Sequence, residues 1–226
     1  MFDVSTRMRG AHVITRPAEL IDRIERLRQT RERVLIGIVG EPGSGKSTVS
    51  AAVSDVLGAG AVVVPMDGFH LSNEQLAHLD RAGRKGAIDT FDAFGYLQLV
   101  RRLRSRDEPV VYAPDYVRGV EEAIAGSIAV PADVPVVITE GNYLLDADKP
   151  WSGLRSLLDE VWYIEAPHHL RLERLVQRHI RFGMSESAAW RWAEGPDESN
   201  AQRTRARRQH ADLVIDVTAF AADEQD

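Results

Sequence analysis

Five short, continuous apolar segments alternate with longer amphipathic ones along the chain. Each is four to six residues long, as expected of strands that are buried on both faces. They are VLIGIV (34–39), AVVVP (61–65), VVIT (136–139), VWYIEA (161–166) and DLVIDV (212–217). Segments with helical spacing lie between them, such as residues 92–106. Strands that alternate with helices predict a parallel, doubly wound sheet of the α/β class.

The chain has the length of one domain, and an amphipathic segment precedes the first of these strands. At 226 residues it is long enough for one sizeable α/β domain and marginal for two, so we treat residues 1–226 as a single domain. Residues 17–29 begin with a proline, which suits a first helical turn. The apolar side chains that follow share one face, which predicts a helix packed on the domain. These are Leu20, Ile21, Ile24 and Leu27.

Composition and charge exclude several classes of protein. The chain has 34 acidic and 28 basic residues, a formal net charge of −6, whereas a sequence-independent nucleic-acid binder needs a net basic face. Cysteine is absent, which excludes disulfides, thiolate zinc sites and thiol catalysis. No apolar run at the amino terminus is long enough for a signal peptide, and no stretch approaches a membrane span. We therefore expect a cytoplasmic protein with neither nucleic acid nor membrane as a partner.

The loop after the first of these strands carries the clearest chemical pattern. GEPGSGKS (40–47) fits G-x-x-x-x-G-K-[ST] between a predicted strand and a predicted helix. Glycines let backbone N–H groups point toward a phosphate chain, and the helix N-terminus adds partial positive charge. A dinucleotide-binding turn would need G-x-G-x-x-G and would give Lys46 no role. We predict a nucleoside triphosphate site in which Lys46 reaches the β- and γ-phosphates and Ser47 binds Mg²⁺. Its residues are Gly40, Gly43, Ser44, Gly45, Lys46, Ser47 and Thr48.

Carboxylates follow two other strands at the same predicted edge of the sheet, where such sheets bind ligands. Asp67 comes just after residues 61–65 and, within reach of an acceptor hydroxyl, could orient it and take its proton during phosphoryl transfer. Glu140 closes the run 136–139, where a Mg²⁺-organising carboxylate belongs. The guanine-reading Asn-Lys-x-Asp of GTPases and the Leu-Ser-Gly-Gly signature of transporter ATPases are absent. The pattern favours a kinase with Asp67 as catalytic base.

A predicted helix over residues 168–182 presents a row of basic side chains. Arginines at i, i+3, i+7 and i+10 form this row beside an apolar face. The arginines are Arg171, Arg174, Arg178 and Arg181, and the apolar residues are Leu172, Leu175, Val176 and Phe182. The row would suit a lid that closes over ATP phosphates and excludes water, although a solvated face explains any single arginine as well. The basic cluster 203–209 lacks interleaved aromatic residues and is interpreted as a solvated helix face.

Given these motifs, nearly the whole chain resembles the P-loop kinases that include uridine kinases, phosphoribulokinases and bacterial pantothenate kinases. The similar segments run from LIGIVGEPGSGKST to ADLVID and include MDGFHLSNEQL, GRKGAIDTFDAF, VVYAPDYVRGVEEA, ITEGNYLL and RLERLVQRHIRFG. The resemblance implies a three-layer P-loop NTPase fold with a mostly parallel, doubly wound sheet, a substrate hairpin (107–131) and a helical lid (168–183). It also implies ATP as the phosphoryl donor and Mg²⁺ as the cofactor.

The resemblance also implies roles for particular residues. Asp67 would be the catalytic base and Lys46 a phosphate ligand. Ser47 and Glu140 would organise Mg²⁺. From the lid, Arg174 or Arg178 would reach ATP. The residues expected to contact the acceptor are Asp67, His70, Arg84, Tyr112, Asp115 and Arg118.

The resemblance leaves the acceptor open between related classes. Uridine kinases usually have a histidine before the hairpin arginine, and pantothenate kinases usually have Tyr-Ser-His there, whereas YAPDYVRG (112–119) has neither. The chain is most similar to the nucleoside/nucleotide kinase-like branch, some members of which are described as fructose kinases. We expect a hydroxyl-bearing small molecule, a nucleoside first and a sugar or pantothenate-like molecule next, and leave a homodimer open. The alternative from another class is a nucleotide-binding regulatory protein without an acceptor.

Overall fold

The structure, a computed structural model, describes residues 13–14 and 17–220 and has the predicted α/β architecture. Its strands are β1 (Val13–Ile14), β2 (Val34–Gly40), β3 (Ala61–Pro65), β4 (Val110–Val117), β5 (Glu122–Pro131), β6 (Val136–Gly141), β7 (Glu160–Glu165) and β8 (Leu213–Asp216). Its helices are α1 (Pro17–Arg28), α2 (Lys46–Leu57), α3 (Asn73–His78), α4 (Ala93–Ser105), α5 (His168–Arg181), α6 (Glu186–Trp192), α7 (Glu198–Arg205) and α8 (Val217–Phe220). Within these described residues, no helix combines the length and the apolar character needed to cross a membrane.

Six strands form one parallel sheet whose order places three loops side by side. The order is β1-β8-β7-β2-β6-β3, with every neighbouring pair parallel. Ile38 of β2 and Pro65 of β3 are both in register with Glu140 of β6, so the carboxyl ends of these strands meet at one edge. The predicted doubly wound sheet is confirmed. Its carboxyl edge brings together Lys46 at the start of α2, Glu140 at the end of β6 and Asp67 in the turn after β3.

Helices cover both faces of the sheet and complete the three layers. On one face, apolar side chains of α1 and α2, such as Leu20 and Val49, join those of the strands in a buried cluster. On the other face, α4 and the hairpin β4–β5 form a second cluster that includes Tyr96 and Val111. Because the strands are buried on both sides, they are continuous apolar runs without the alternation of a half-exposed strand.

The antiparallel hairpin β4–β5 lies outside the main sheet, where a substrate hairpin was predicted. It packs on the short 3₁₀ turn Met66–Phe69 that follows β3. A Cβ at Gly68 would stand 2.3 Å from the carbonyl oxygen of Pro114 in β4, so this close approach requires glycine. The contact holds the tip of the hairpin beside Asp67.

Helix α5 matches the predicted lid helix, but its arginines do not share one surface. Arg171 is 1% exposed, whereas the other three arginines are exposed or partly buried. The Arg171 Nε lies 3.2 Å from Glu41 Oε2, and its Nη2 pairs with Glu198. Arg171 therefore ties α5 to the loop after β2 and to α7. The prediction of a continuous row of four lid arginines was wrong at this position, because the Arg171 side chain is buried against Glu41 of the phosphate loop and Glu198 of α7.

Arg171→Met is expected to lower the free energy of unfolding by about 3 kcal/mol, because it removes the buried cation shared by Glu41 and Glu198 and leaves them only the exposed Arg205. Equilibrium unfolding in urea, followed by circular dichroism, measures this change. Arg181→Met, at the exposed end of the same helix, is the control and should change the free energy by less than about 0.5 kcal/mol. Equal losses in the two variants would contradict a structural role for Arg171.

Candidate active site

The loop between β2 and α2 has a conformation suited to a polyphosphate. Gly43 and Gly45 have φ angles of 79° and 101°, in the left-handed region that glycine adopts without strain. Helix α2 begins directly at Lys46, so its free N–H groups and the positive end of its dipole face the loop. Arg174 of α5 lies over this loop, with Nη1 3.4 Å from the carbonyl oxygen of Ser44. The loop thus offers an anion both backbone donors and a nearby cation.

The Lys46 ammonium is held in place by three acceptors. Its Nζ donates to the carbonyl oxygens of Gly40 and Glu41, at 2.9 and 3.2 Å, and to Oδ1 of Asn142 at 2.7 Å. Burial lowers the pKa of the ammonium, and the carboxylate of Glu140 acts in the opposite direction. Lys46 is therefore oriented before a ligand arrives, and Asn142, just past β6, supports it.

Ser47 and Glu140 provide oxygen donors suited to Mg²⁺. The Ser47 hydroxyl donates to Glu140 Oε1 at 2.8 Å, and Glu140 is 7% exposed. Burial raises the pKa of the Glu140 carboxyl, while Lys46 opposes that shift. Residues 17–220 contain no cluster of three or more histidine, aspartate and glutamate side chains that could enclose a metal alone. Mg²⁺ needs no such cluster, since it binds through one or two carboxylates plus water and phosphate oxygens.

Asp67 lies where the hairpin tip meets the edge of the sheet. Arg118 donates from Nη2 to Asp67 Oδ2 at 3.2 Å, and the ring Nδ1 of His70 lies 2.8 Å from the Asp67 carbonyl oxygen. Burial would raise the pKa of the Asp67 carboxyl, but the charges of His70, Arg118 and other nearby cations hold it below its usual value. Asp67 is therefore ionised at neutral pH, as a group that accepts a proton must be.

A cavity of about 330 Å³ opens beside Asp67 and connects these groups. Lys46, Ser47 and Glu140 lie on its wall, together with side chains of the hairpin tip and of the segment 179–200. The volume is in the range of small-molecule sites. Other polar side chains on the wall are Asn73, Lys85, Glu121, His179, Asp197 and Asn200.

Seven of the sixteen predicted site residues line this cavity. Those that line it are Lys46, Ser47, Asp67, His70, Arg118, Glu140 and Arg178. Asp115 lines an adjoining recess that it shares with Asp67. Gly40, Gly43, Ser44 and Gly45 lie in or next to the phosphate loop, and Thr48 lies on the exposed side of α2.

Two residues that were expected to contact the acceptor lie away from the cavity. Arg84 is exposed and pairs with Asp89 on the surface. Tyr112 is 59% exposed, on the outer side of the hairpin. Neither side chain lines the cavity, so both assignments are corrected.

Tyr116 occupies the position that was expected of Tyr112. The pairing of β4 with β5 shifts between Ala113 and Asp115. The extra residues of this irregularity lie in β5, between Ile124 and Ile128, while β4 passes through Pro114 without an insertion. Tyr116, near the hairpin tip, is partly buried and lines the cavity. The two tyrosines are four residues apart, so strand alternation alone gives no way to choose between them.

Four polar residues of the wall were not predicted, although Asn142 and Lys85 lie in the segments ITEGNYLL and GRKGAIDTFDAF that carry the family resemblance. Asn142 follows β6, and Lys85 lies in the loop before α4. Asp197 and Asn200 come from the segment after α6. They meet at the cavity because the topology brings these segments to the same edge of the sheet.

Comparison with known proteins agrees with this architecture. A model of the phosphoribulokinase/uridine kinase family matches residues 35–218. The "Putative uridine kinase C227.14" of Schizosaccharomyces pombe is 36% identical over 175 residues, which are 74% of this chain and 74% of that protein. "Uncharacterized protein YggC" of Escherichia coli is 32% identical over 193 residues, 83% of this chain and 79% of that protein.

A solved structure extends the similarity to three dimensions. The crystal structure of the "putative fructose transport system kinase from Silicibacter sp. TM1040" matches with a TM-score of 0.77 and 38% identity, over 88% of this chain and 98% of that one. The range matched by the family model includes the phosphate loop, Asp67, the hairpin, Glu140 and α5, which together form the cavity. The chain is therefore a P-loop kinase that belongs to the phosphoribulokinase/uridine kinase family.

Proposed function

We propose that this protein transfers the γ-phosphoryl group of ATP, with Mg²⁺, to a hydroxyl group of a small metabolite. The observation that carries the proposal is the position of the Asp67 carboxylate. It lies on the same cavity as Lys46 and the Ser47–Glu140 pair, while Arg118 holds it at the hairpin tip. A nucleotide-binding regulatory protein without an acceptor would not need a carboxylate or a hairpin at this place.

Each side chain of the site has a separate role in the proposed reaction. The acceptor oxygen attacks the γ-phosphorus, the bond to the β,γ-bridging oxygen breaks, and Asp67 takes the hydroxyl proton as ADP leaves. Lys46 and Arg178 neutralise charge on the phosphoryl oxygens, and Arg174 approaches the phosphate loop from α5. Mg²⁺, bound by Ser47 and Glu140 with the phosphates, would stabilise charge on the β- and γ-oxygens. Closure of α5 over the site would exclude water, which competes with the acceptor.

A nucleoside is the first acceptor class that we propose, and a sugar is the second. The first is supported by the family and by the similarity to the protein named "Putative uridine kinase C227.14". The second is supported by the 38% identity to the protein named "putative fructose transport system kinase" and by the polar wall of the cavity. Both classes present an alcohol that could reach Asp67.

Release of ADP with ATP and Mg²⁺, measured across a panel of acceptors, tests the proposal. The panel comprises uridine, cytidine, adenosine, ribose, fructose, glycerate and pantothenate. We expect one class to raise turnover at least about 100-fold above the acceptor-independent hydrolysis of ATP. If no compound exceeds that background, a nucleotide-binding regulatory role becomes the better explanation.

A further inference from the structure

The cavity wall formed by the segment after α6 contains two polar side chains that the proposed reaction does not use. Asp197 ends the π-helical turn Ala193–Asp197, and Asn200 lies in the first turn of α7. Residues three apart on a helix share a face, and both side chains line the cavity. Each residue is only 7% exposed. π-helical turns are rare and often occur at functional sites.

Much of the hydrogen-bonding capacity of this pair is unused. Asp197 Oδ2 lies 2.7 Å from Nε2 of His179, and no residue in the described part of the chain hydrogen-bonds to its Oδ1. The side-chain amide of Asn200 has no hydrogen-bond partner anywhere in residues 17–220. Its backbone oxygen accepts a hydrogen bond from the Thr204 hydroxyl at 2.9 Å. Both side chains line the cavity, so their unused donors and acceptors are available to a ligand that enters it.

We propose that Asp197 and Asn200 bind a vicinal diol of the acceptor, in the ring of a sugar or in the ribose of a nucleoside. This inference rests on the proposed kinase function and assigns the acceptor class for the same cavity. A carboxylate accepts hydrogen bonds from two neighbouring hydroxyls, and an amide both donates and accepts. The negative charge of Asp197 favours neutral hydroxyl donors over an anionic group at this wall. His179 keeps the Asp197 carboxylate in a fixed orientation.

Asn200→Ala tests the pair with little risk to the fold, because it breaks no internal hydrogen bond of the side chain. We expect the Tm of this variant to be unchanged or higher. The KM for the acceptor should rise at least tenfold, while kcat and the KM for ATP stay within about threefold of the native values. Gln202→Ala, an exposed amide on the same helix, is the matched control and should leave all of these values unchanged. Asp197→Asn, which keeps the size and an acceptor for His179, is expected to raise the same KM.

Deoxy analogues of the acceptor identify which hydroxyl binds to Asp197 and Asn200, and whether the diol belongs to a nucleoside or to a free sugar. The native protein is expected to prefer uridine over 2′-deoxyuridine, or fructose over a deoxyfructose, by at least about tenfold. A preference for uridine over its deoxy analogue indicates a nucleoside acceptor, and a preference for fructose over its deoxy analogue indicates a free sugar. Asn200→Ala should lose most of that preference, which a merely structural residue would not change.

Binding measured without chemistry separates this inference from the kinase function. Uridine, ribose and fructose are titrated calorimetrically into the native protein and the Asn200→Ala variant, with Mg²⁺ and a non-hydrolysable ATP analogue. Binding that weakens at least tenfold in the variant supports the diol site even without phosphoryl transfer. The inference is overturned if none of the three diols binds to the native protein. Phosphoryl transfer with an unchanged acceptor KM in the variant would overturn it too, and would leave the kinase function intact.

Discussion

Asp67→Asn is expected to reduce the kcat of acceptor phosphorylation by about 10³-fold, the middle of the range for loss of a general base. Asparagine keeps the size of the side chain and an oxygen that can accept from Arg118, but it cannot take the acceptor proton. The KM for ATP should change by less than about threefold, because Asp67 serves the acceptor. ADP release at saturating ATP, with the acceptor found in the panel, measures both constants.

A control variant and the pH dependence of activity test whether the loss of kcat is specific to Asp67. Asp55→Asn, on the exposed side of α2, makes the same chemical change away from the cavity and should leave kcat unchanged. Because the pKa of Asp67 is held below its ordinary value, its titration should leave the activity of the native protein constant between about pH 6 and 8. If Asp67→Asn kept full turnover with an acceptor that the native protein uses, another group would be the base.

The sheet and its carboxyl edge were predictable because both follow from general physical constraints. Strands buried on both faces must be continuous apolar runs, and the ends of parallel strands meet at one edge. Asp67 and Glu140 were found in this way, from their places at the ends of two apolar runs, and Ser47 from the phosphate-loop pattern. Their detailed roles stay predictions until the variants are measured.

The parts that were missed depend on packing between segments far apart in the chain. Helical spacing placed Arg171 in a row with three other arginines, but its side chain is buried against Glu41 and Glu198, which are far from it in the chain. Strand alternation could not distinguish Tyr112 from Tyr116, which are four residues apart, because only the packing of the hairpin tip places Tyr116 beside His70. Asp197 and Asn200 reach the cavity only after a π-helical turn changes the helical phase, which no periodic pattern indicates.

Lys46→Met is expected to lower kcat/KM for phosphoryl transfer by about 10² to 10³-fold, the loss typical of removing one preorganised charge-stabilising donor. Three acceptors hold the ammonium at the phosphate loop, so its loss removes stabilisation that no other side chain replaces at this position. Unlike Asp67→Asn, this variant should also slow the acceptor-independent hydrolysis of ATP, because Lys46 acts on the phosphates. Lys149→Met, an exposed lysine remote from the cavity, is the control. A variant that lost acceptor phosphorylation but kept native hydrolysis would place Lys46 on the acceptor side and contradict its assignment as a phosphate ligand.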